Sequence, residues 1–281
     1  MNKKVIILSI LAMTVLVACG TKSQEEKQVS ENDYKIFVLN DAVFDGSVEI
    51  LIQPDQDTLK KYIPDGVFPL YLNAFLLQQN GENLLFDTGV GAKLVENLAN
   101  HGVTPEEIHK IFLTHAHFDH IGGLLKDGQA IFPNAELFIN KIEHDYWLAE
   151  ENPLFLEVIE KYKNQLKLFD IDVPFKQIAP GVDALPAYGH TPGHTMFSIG
   201  KAENRTLLWG DITHVLLIQM PHPQQTVSFD VNPEQAAEAR LQVLKMVADG
   251  NITVAGAHIQ GGLGKISENG WGGYIFQPLE K

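Results

Sequence analysis

The stretch LTHAHFDHIGG, residues 113–123, places three histidines and one aspartate within six positions, between an apolar run and two glycines. Burying so many imidazoles with a carboxylate is costly unless something pairs with them, and a divalent cation removes that cost by taking neutral imidazole and carboxylate as ligands. A lone histidine is more commonly a surface or hydrogen-bonded residue, and His101, His109, His144 and His222 are read that way. The cluster reads as a metal site.

Ile111-Phe112-Leu113 has the composition of a buried strand. In an extended chain, side chains two apart share a face, so His115 and His117 are expected to point the same way and share one ion. Asp119 and His120 follow where a strand-to-helix turn can redirect them toward a neighbouring position, and Gly122-Gly123 lets backbone approach closely. The stretch can therefore feed two adjacent sites. The single cysteine, Cys19, restricts any site in the remainder of the chain to nitrogen and oxygen ligands and excludes an internal disulfide.

The elements that must hold this stretch are mixed. YKIFVLN, LYLNAFLLQQ and ENLLFDTG read as strands, the last two joined by Asn80-Gly81, a dipeptide that tolerates positive φ in a tight hairpin. Asn232-Pro233-Glu234-Gln235 reads as a capped helix start, with Gln235 completing a capping box. Ala237, Leu241, Leu244 and Ala248 are expected on one face, and Gly250 as a left-handed stop. Thr104-Pro105-Glu106-Glu107 gives a second, shorter start signal leading into IFLTHAHFDH. Strands and helices mixed from end to end indicate an α/β layered fold.

The chain has 281 residues with a formal net charge of −14, a balance that repels phosphodiester backbones, so no nucleic-acid partner is expected. Lys3 and Lys4 precede an apolar run from Val5 to Val17 that is shorter than the about 20 residues a membrane span needs; residues 1–18 read as an export signal. Leu16-Val17-Ala18-Cys19 resembles the lipobox of bacterial lipoproteins, which implies a lipidated Cys19 and an extracytoplasmic, membrane-anchored protein. Residues 19–33 read as a polar tether and residues 34–281 as one domain.

The sequence resembles the metallo-β-lactamase fold superfamily. Its HxHxDH signature is matched by His115, His117, Asp119 and His120, and its later motifs by His194 in GHTPGHT, Asp211 in LLWGD and His258 in VAGAHI. The resemblance implies a four-layer αββα sandwich and two divalent cations, zinc by default. His115, His117 and His194 would hold one, Asp119, His120 and His258 the other, and Asp211 would bridge them. It also makes Asp87 in LLFDTG a supporting aspartate. His190 and His214, beside motif residues, stay outside the implied ligand set, either as hydrogen-bonding partners of ligands or as solvent-facing residues.

A carboxylate bridge with no cysteine ligand points away from the cysteine-ligated β-lactamases. LYLNAFLL, DTGVG, THAHFDHIGGL and GHTPGHT are most similar to the lactonase and methyl parathion hydrolase group. The implied function is a hydrolase of small molecules such as lactones, esters or organophosphates, with Asp119 passing a proton to the leaving group. The alternatives are a non-catalytic zinc-binding surface lipoprotein and a β-lactam-hydrolysing enzyme. Ile259–Gly264 stands where the group often has a Pro-Phe-Pro type stretch, so the substrate is the inference this departure touches. Residues 156–169 and Phe68 to Phe75 are candidate lid or partner surfaces, with ordinary packing the stronger expectation.

Overall fold

A computed structural model describes residues 34–201 and 204–279. The export signal, Cys19 and the tether lie outside the described residues. In chain order the strands are β1 (Tyr34–Ser47), β2 (Val67–Gln79), β3 (Glu82–Phe86), β4 (Ile108–Phe112), the short ribbon β5 (Leu125–Lys126) and β6 (Gln129–Ala130), β7 (Glu136–Asn140) and β8 (Leu166–Phe169). There follow β9 (Lys176–Ala179), β10 (Val182–Pro186), β11 (Thr195–Ile199), β12 (Thr206–Leu208), β13 (Thr253–Ala255), β14 (Leu263–Glu268) and β15 (Tyr274–Pro278). The α-helices are α1 (Gln56–Tyr62), α2 (Leu94–Asn100), α3 (Phe118–Ile121), α4 (Lys141–Ala149), α5 (Pro153–Tyr162), α6 (Leu216–Gln219) and α7 (Pro233–Asp249).

One sheet runs β1-β2-β3-β4-β7-β8 and the other β15-β14-β13-β12-β11-β10-β9. Three separate apolar clusters show how they stack. Phe75, Phe86, Phe112, Phe138, Ala184, Phe197 and Leu208 lie between the two sheets. Ile111 and Leu137 of the first sheet pack on Leu98 of α2 and on Phe155, Val158 and Tyr162 of α5. Leu207 and Val254 of the second pack on Val243, Leu244 and Val247 of α7. Three interfaces between helix, sheet, sheet and helix make the αββα sandwich that the resemblance implied.

Local sequence explains most of these elements. Asn80 and Gly81 both take positive φ, 53° and 80°, and close the β2–β3 hairpin with Gln79 opposite Glu82. The Asn232 side chain accepts from the Gln235 amide at 3.1 Å and caps α7. The buried stripe of α7 is Ala236, Arg240, Val243, Leu244 and Val247, one position off the expected face, because the buried Arg240 guanidinium belongs to the core side. Gly250 keeps φ −84°, and the left-handed residue is Asn251 at 45°. Thr104–Glu107 forms a single 3₁₀ turn in which Glu107 accepts from the Thr104 amide. Val158 and Tyr162 are buried in the core, as are Phe68, Leu72 and Phe75, so both candidate surface segments contribute to ordinary packing. Among the described residues no helix is long and apolar enough to cross a membrane.

Phe112 ends β4 with its ring centroid 5.0 Å from Phe86, 4.8 Å from Phe138 and 5.6 Å from Phe197. Phe112→Ala is expected to cost about 3–5 kcal/mol of stability, read as a lower denaturation midpoint with an unchanged slope.

Candidate metal centre

The cluster is assembled at strand ends. β4 runs out at Phe112 and delivers His115 and His117, the latter extended at φ −67° and ψ 157° immediately before α3. α3 then turns Asp119 and His120 away from that path. The β10–β11 connection brings His190, Asp211 follows β12, and His258 follows β13.

These side chains converge into two groups that share one carboxylate. In the first, His115 Nε2 lies 3.0 Å from His117 Nδ1 and 3.2 Å from His190 Nε2, and His117 Nδ1 lies 3.0 Å from His190 Nε2. Asp211 Oδ2 is 3.3 Å from the same His190 atom. In the second, His120 Nε2 is 3.7 Å from Asp119 Oδ2 and 3.1 Å from Asp211 Oδ1, while His258 Nε2 is 3.6 Å from Asp119 Oδ2 and 3.1 Å from Asp211 Oδ2. Within each group one ligand atom per residue lies within 4.8 Å of all the others, the spacing at which one ion can be held.

One expected ligand is replaced. His194 does not enter either group: its Nδ1–H donates to the Ala187 carbonyl at 3.0 Å and its Nε2 accepts from the Asp211 amide at 3.0 Å, so both ring nitrogens are committed. His190, from the same GHTPGHT motif, occupies the place assigned to it. Gly189 makes this possible, with φ 133° and so close to α7 that a Cβ would sit 2.2 Å from the Ala236 nitrogen. Two histidines four apart in a loop are equivalent on paper; in the fold His190 turns into the cluster and His194 toward the Ala187 carbonyl and the Asp211 amide.

Three of the inward-facing rings are held from behind. His120 Nδ1 pairs with Asp87 Oδ2 at 2.8 Å, and Asp87 also accepts from the amide and hydroxyl of Thr114. His190 Nδ1 pairs with Asp230 Oδ1 at 2.9 Å, and His258 Nδ1 donates to the Tyr71 carbonyl at 2.8 Å. Such partners fix which nitrogen carries a proton and aim the other inward. Arg240 donates to the carbonyls of Ile212, Pro223 and Gln225 and tethers the segment that carries Asp211 and Asp230 to α7. Asn73 ties the loop of His258 by donating to the carbonyls of Gly256 and Ile259. That loop folds back on β1: a Cβ at Gly262 would meet Val38 at 2.5 Å.

Two of the inner atoms lack protein partners. His120 Nε2 and Asp211 Oδ1 are buried and, although 3.1 Å apart, are not oriented as a hydrogen bond and have no other. A cation between the rings would satisfy both, so the donor set fits a divalent ion.

Burial, reinforced by the charge of His120, holds the His115 imidazole well below its usual pKa. Burial and His190 push His117 to about 3. Burial works against a charged His190 too, but hydrogen bonds to Asp211 and Asp230 outweigh it and lift the ring to about 9. His120 is likewise opposed by burial and raised well above its ordinary range by Asp211 and Asp87.

Sequence reasoning also passed over Asn73, although it lies in LYLNAFLL, and Asp230, Arg240 and Glu143, which sit in none of the motifs. His214, which the sequence left undecided, is buried with Nε2 3.0 Å from Asp211 Oδ2 and its ring stacked on His258 at 4.9 Å.

The sequence profile of the metallo-beta-lactamase superfamily matches residues 67–258. This chain belongs to that superfamily. Among solved structures it is similar to AidC, a dizinc quorum-quenching lactonase in complex with a product, at a TM-score of 0.80 and 26% identity, covering 89% of this chain and 95% of that one. Among curated proteins it is similar to an N-acyl homoserine lactonase of Bacillus sp., 29% identical over 41% of this chain and 42% of the relative. A ribonuclease of Thermus thermophilus is 29% identical over 54% of this chain and 37% of the relative. The chain thus spans less than half the length of the curated relatives it matches.

Two outcomes follow. His190→Ala is expected to remove one of two bound metal equivalents by elemental analysis, whereas His194→Ala keeps both and lowers the melting temperature. Since Asp211 and Asp230 raise the His190 pKa to about 9, and Asp211 and Asp87 raise that of His120, binding a divalent cation through these rings at neutral pH is expected to displace protons. Uptake should therefore tighten as pH rises, and titrations in buffers of different ionisation heat count the protons.

Proposed function

We propose that the protein is a dinuclear metal-dependent hydrolase of small molecules carrying an activated carbonyl or phosphoryl centre, with an acyl lactone or ester as the favoured class. The observation that carries this reading is Asp211, one buried carboxylate facing both ligand groups. Metal storage needs no such shared residue.

In this reading His115, His117, His190 and Asp211 hold one cation and Asp119, His120, Asp211 and His258 the other. Bound divalent ions at these residues would supply Lewis acidity toward water and the substrate oxygen. Imidazole and carboxylate suit zinc, which the dizinc lactonase relative also carries.

Asp119 differs from the other carboxylate. Its side chain is 28% exposed against 2% for Asp211, so Asp119 faces the opening and can pass a proton to a leaving group. Burial raises its pKa, but His120 and His258 outweigh that and keep it ionised, ready to receive the proton first.

The surroundings favour an apolar small molecule. Phe118, between His117 and Asp119, is 62% exposed, and Phe229, its ring 6.0 Å from His214, is 48% exposed. Exposed aromatic residues beside a polar cluster suit a ligand with a hydrocarbon arm. The net charge of −14 disfavours the RNA of the ribonuclease relative.

The test is elemental analysis of the purified protein combined with lactone, ester, thioester, β-lactam, phosphotriester and RNA substrates. Two metal equivalents with lactone or ester turnover support the reading; two equivalents with no turnover would favour storage. Asp119→Asn is expected to lower kcat about 10²–10⁴-fold. Full turnover with both metals retained removes its role. We further propose, from residues 1–19 alone, that Cys19 is lipidated outside the cytoplasm; Cys19→Ser should then release the protein from membranes or block its processing.

A further inference from the structure

Glu143 is wholly buried near the start of α4, outside every motif that marks the cluster. Its carboxylate accepts four hydrogen bonds, which fill its acceptor capacity. Oε1 takes the Ala116 amide at 2.9 Å and the Trp147 indole N–H at 2.6 Å; Oε2 takes the Thr191 hydroxyl at 2.7 Å and the Gly193 amide at 2.9 Å. Ala116 lies between His115 and His117, and Thr191 follows His190. One carboxylate therefore grips both loops that supply the first ligand group.

The contact is close as well as polar. A Cβ at Gly193 would sit 2.2 Å from the Glu143 nitrogen, so the β10–β11 loop lies directly on the first turn of α4. Asn140, which caps α4, also donates to the Thr195 hydroxyl at 3.1 Å, and the Thr195 amide donates to the Thr114 carbonyl. Trp147, the fourth donor, stands edge-on to the His117 ring at 5.4 Å.

None of the four bonds reaches the second group. His120 and His258 are supported instead through Asp87 and the Tyr71 carbonyl. Asp87 lies behind His120 and, through the Thr114 hydroxyl, also behind His115, whereas Glu143 serves the first group alone.

We infer that Glu143 is a positioning residue for one half of the centre: it sets the separation of His115 and His117 from His190 and so controls the affinity of that half alone. The inference rests on the dinuclear reading above. Glu143→Gln places an NH₂ donor where two donors already point, so one loop must let go while size and shape are kept.

The experiment uses the full chain and zinc as the probe, with affinity measured against a competing chelator. His120→Ala isolates the first group and His117→Ala the second. Adding Glu143→Gln is expected to weaken zinc binding about 10–100-fold in the His120→Ala background and less than about 2-fold in the His117→Ala background. Equal weakening in both backgrounds, as a general loss of stability would give, overturns the inference; so does no weakening in either. Thr191→Val, which removes one donor and keeps the carboxylate, should show the same selectivity with a smaller effect. If Glu143→Gln does not fold, a non-selective Thr191→Val overturns the inference instead. A wild-type chain that takes up no zinc sinks the dinuclear reading itself, a result visible before any variant is made.

Discussion

Five imidazoles, His115, His120, His190, His214 and His258, each bring a ring nitrogen within 3.6 Å of the buried carboxylate of Asp211. Burial disfavours ionising Asp211, and the surrounding imidazoles, His120 and His258 foremost, reverse that and hold its pKa well below the ordinary range. The rings are less uniform: burial pushes the pKa values of His115 and His117 down, whereas neighbouring carboxylates raise those of His190 and His120. An array of this kind persists only if the scaffold resists the rings' tendency to separate, and much of the fold can be understood as that resistance.

The resistance comes from a layer of buried acceptors behind the rings. Asp87 is held at φ 55°, an unfavourable conformation for a residue with a side chain, and from there reaches both Thr114 and His120. Asp230 backs His190, and Glu143 joins the loops on either side of it. Asp41, at the bulge between Asn40 and Ala42 in β1, accepts the amides of Val90, Ala92 and Lys93 and fixes the DTGVG loop that begins at Asp87. His194 belongs to this layer: it joins the Ala187 carbonyl to the Asp211 amide. These residues come from distant parts of the chain, so the centre is rigid only once the sandwich has closed.

The sandwich in turn explains why the site can be both rigid and open. Phe86, Phe112 and Phe197 interlock the sheets below the cluster, while the loops above carry Phe118 and Phe229 outward. A packed floor with apolar residues at the rim is the arrangement a small, partly apolar substrate requires.

The sequence by itself determined the parts whose physics is local. The Asn80-Gly81 turn, the Asn232 cap and the spacing of His115, His117, Asp119 and His120 each follow from φ preference, an orphan amide or strand and helix periodicity over a few residues. The helix face of α7 was legible only to within one position, because a buried arginine does not announce itself as core. The choice between His190 and His194 and the roles of Asp230, Arg240 and Glu143 were decided by tertiary structure alone. Each depends on which groups from remote segments meet in a dry interior, and hydrogen-bond satisfaction there is a property of the closed fold that no short stretch of chain contains.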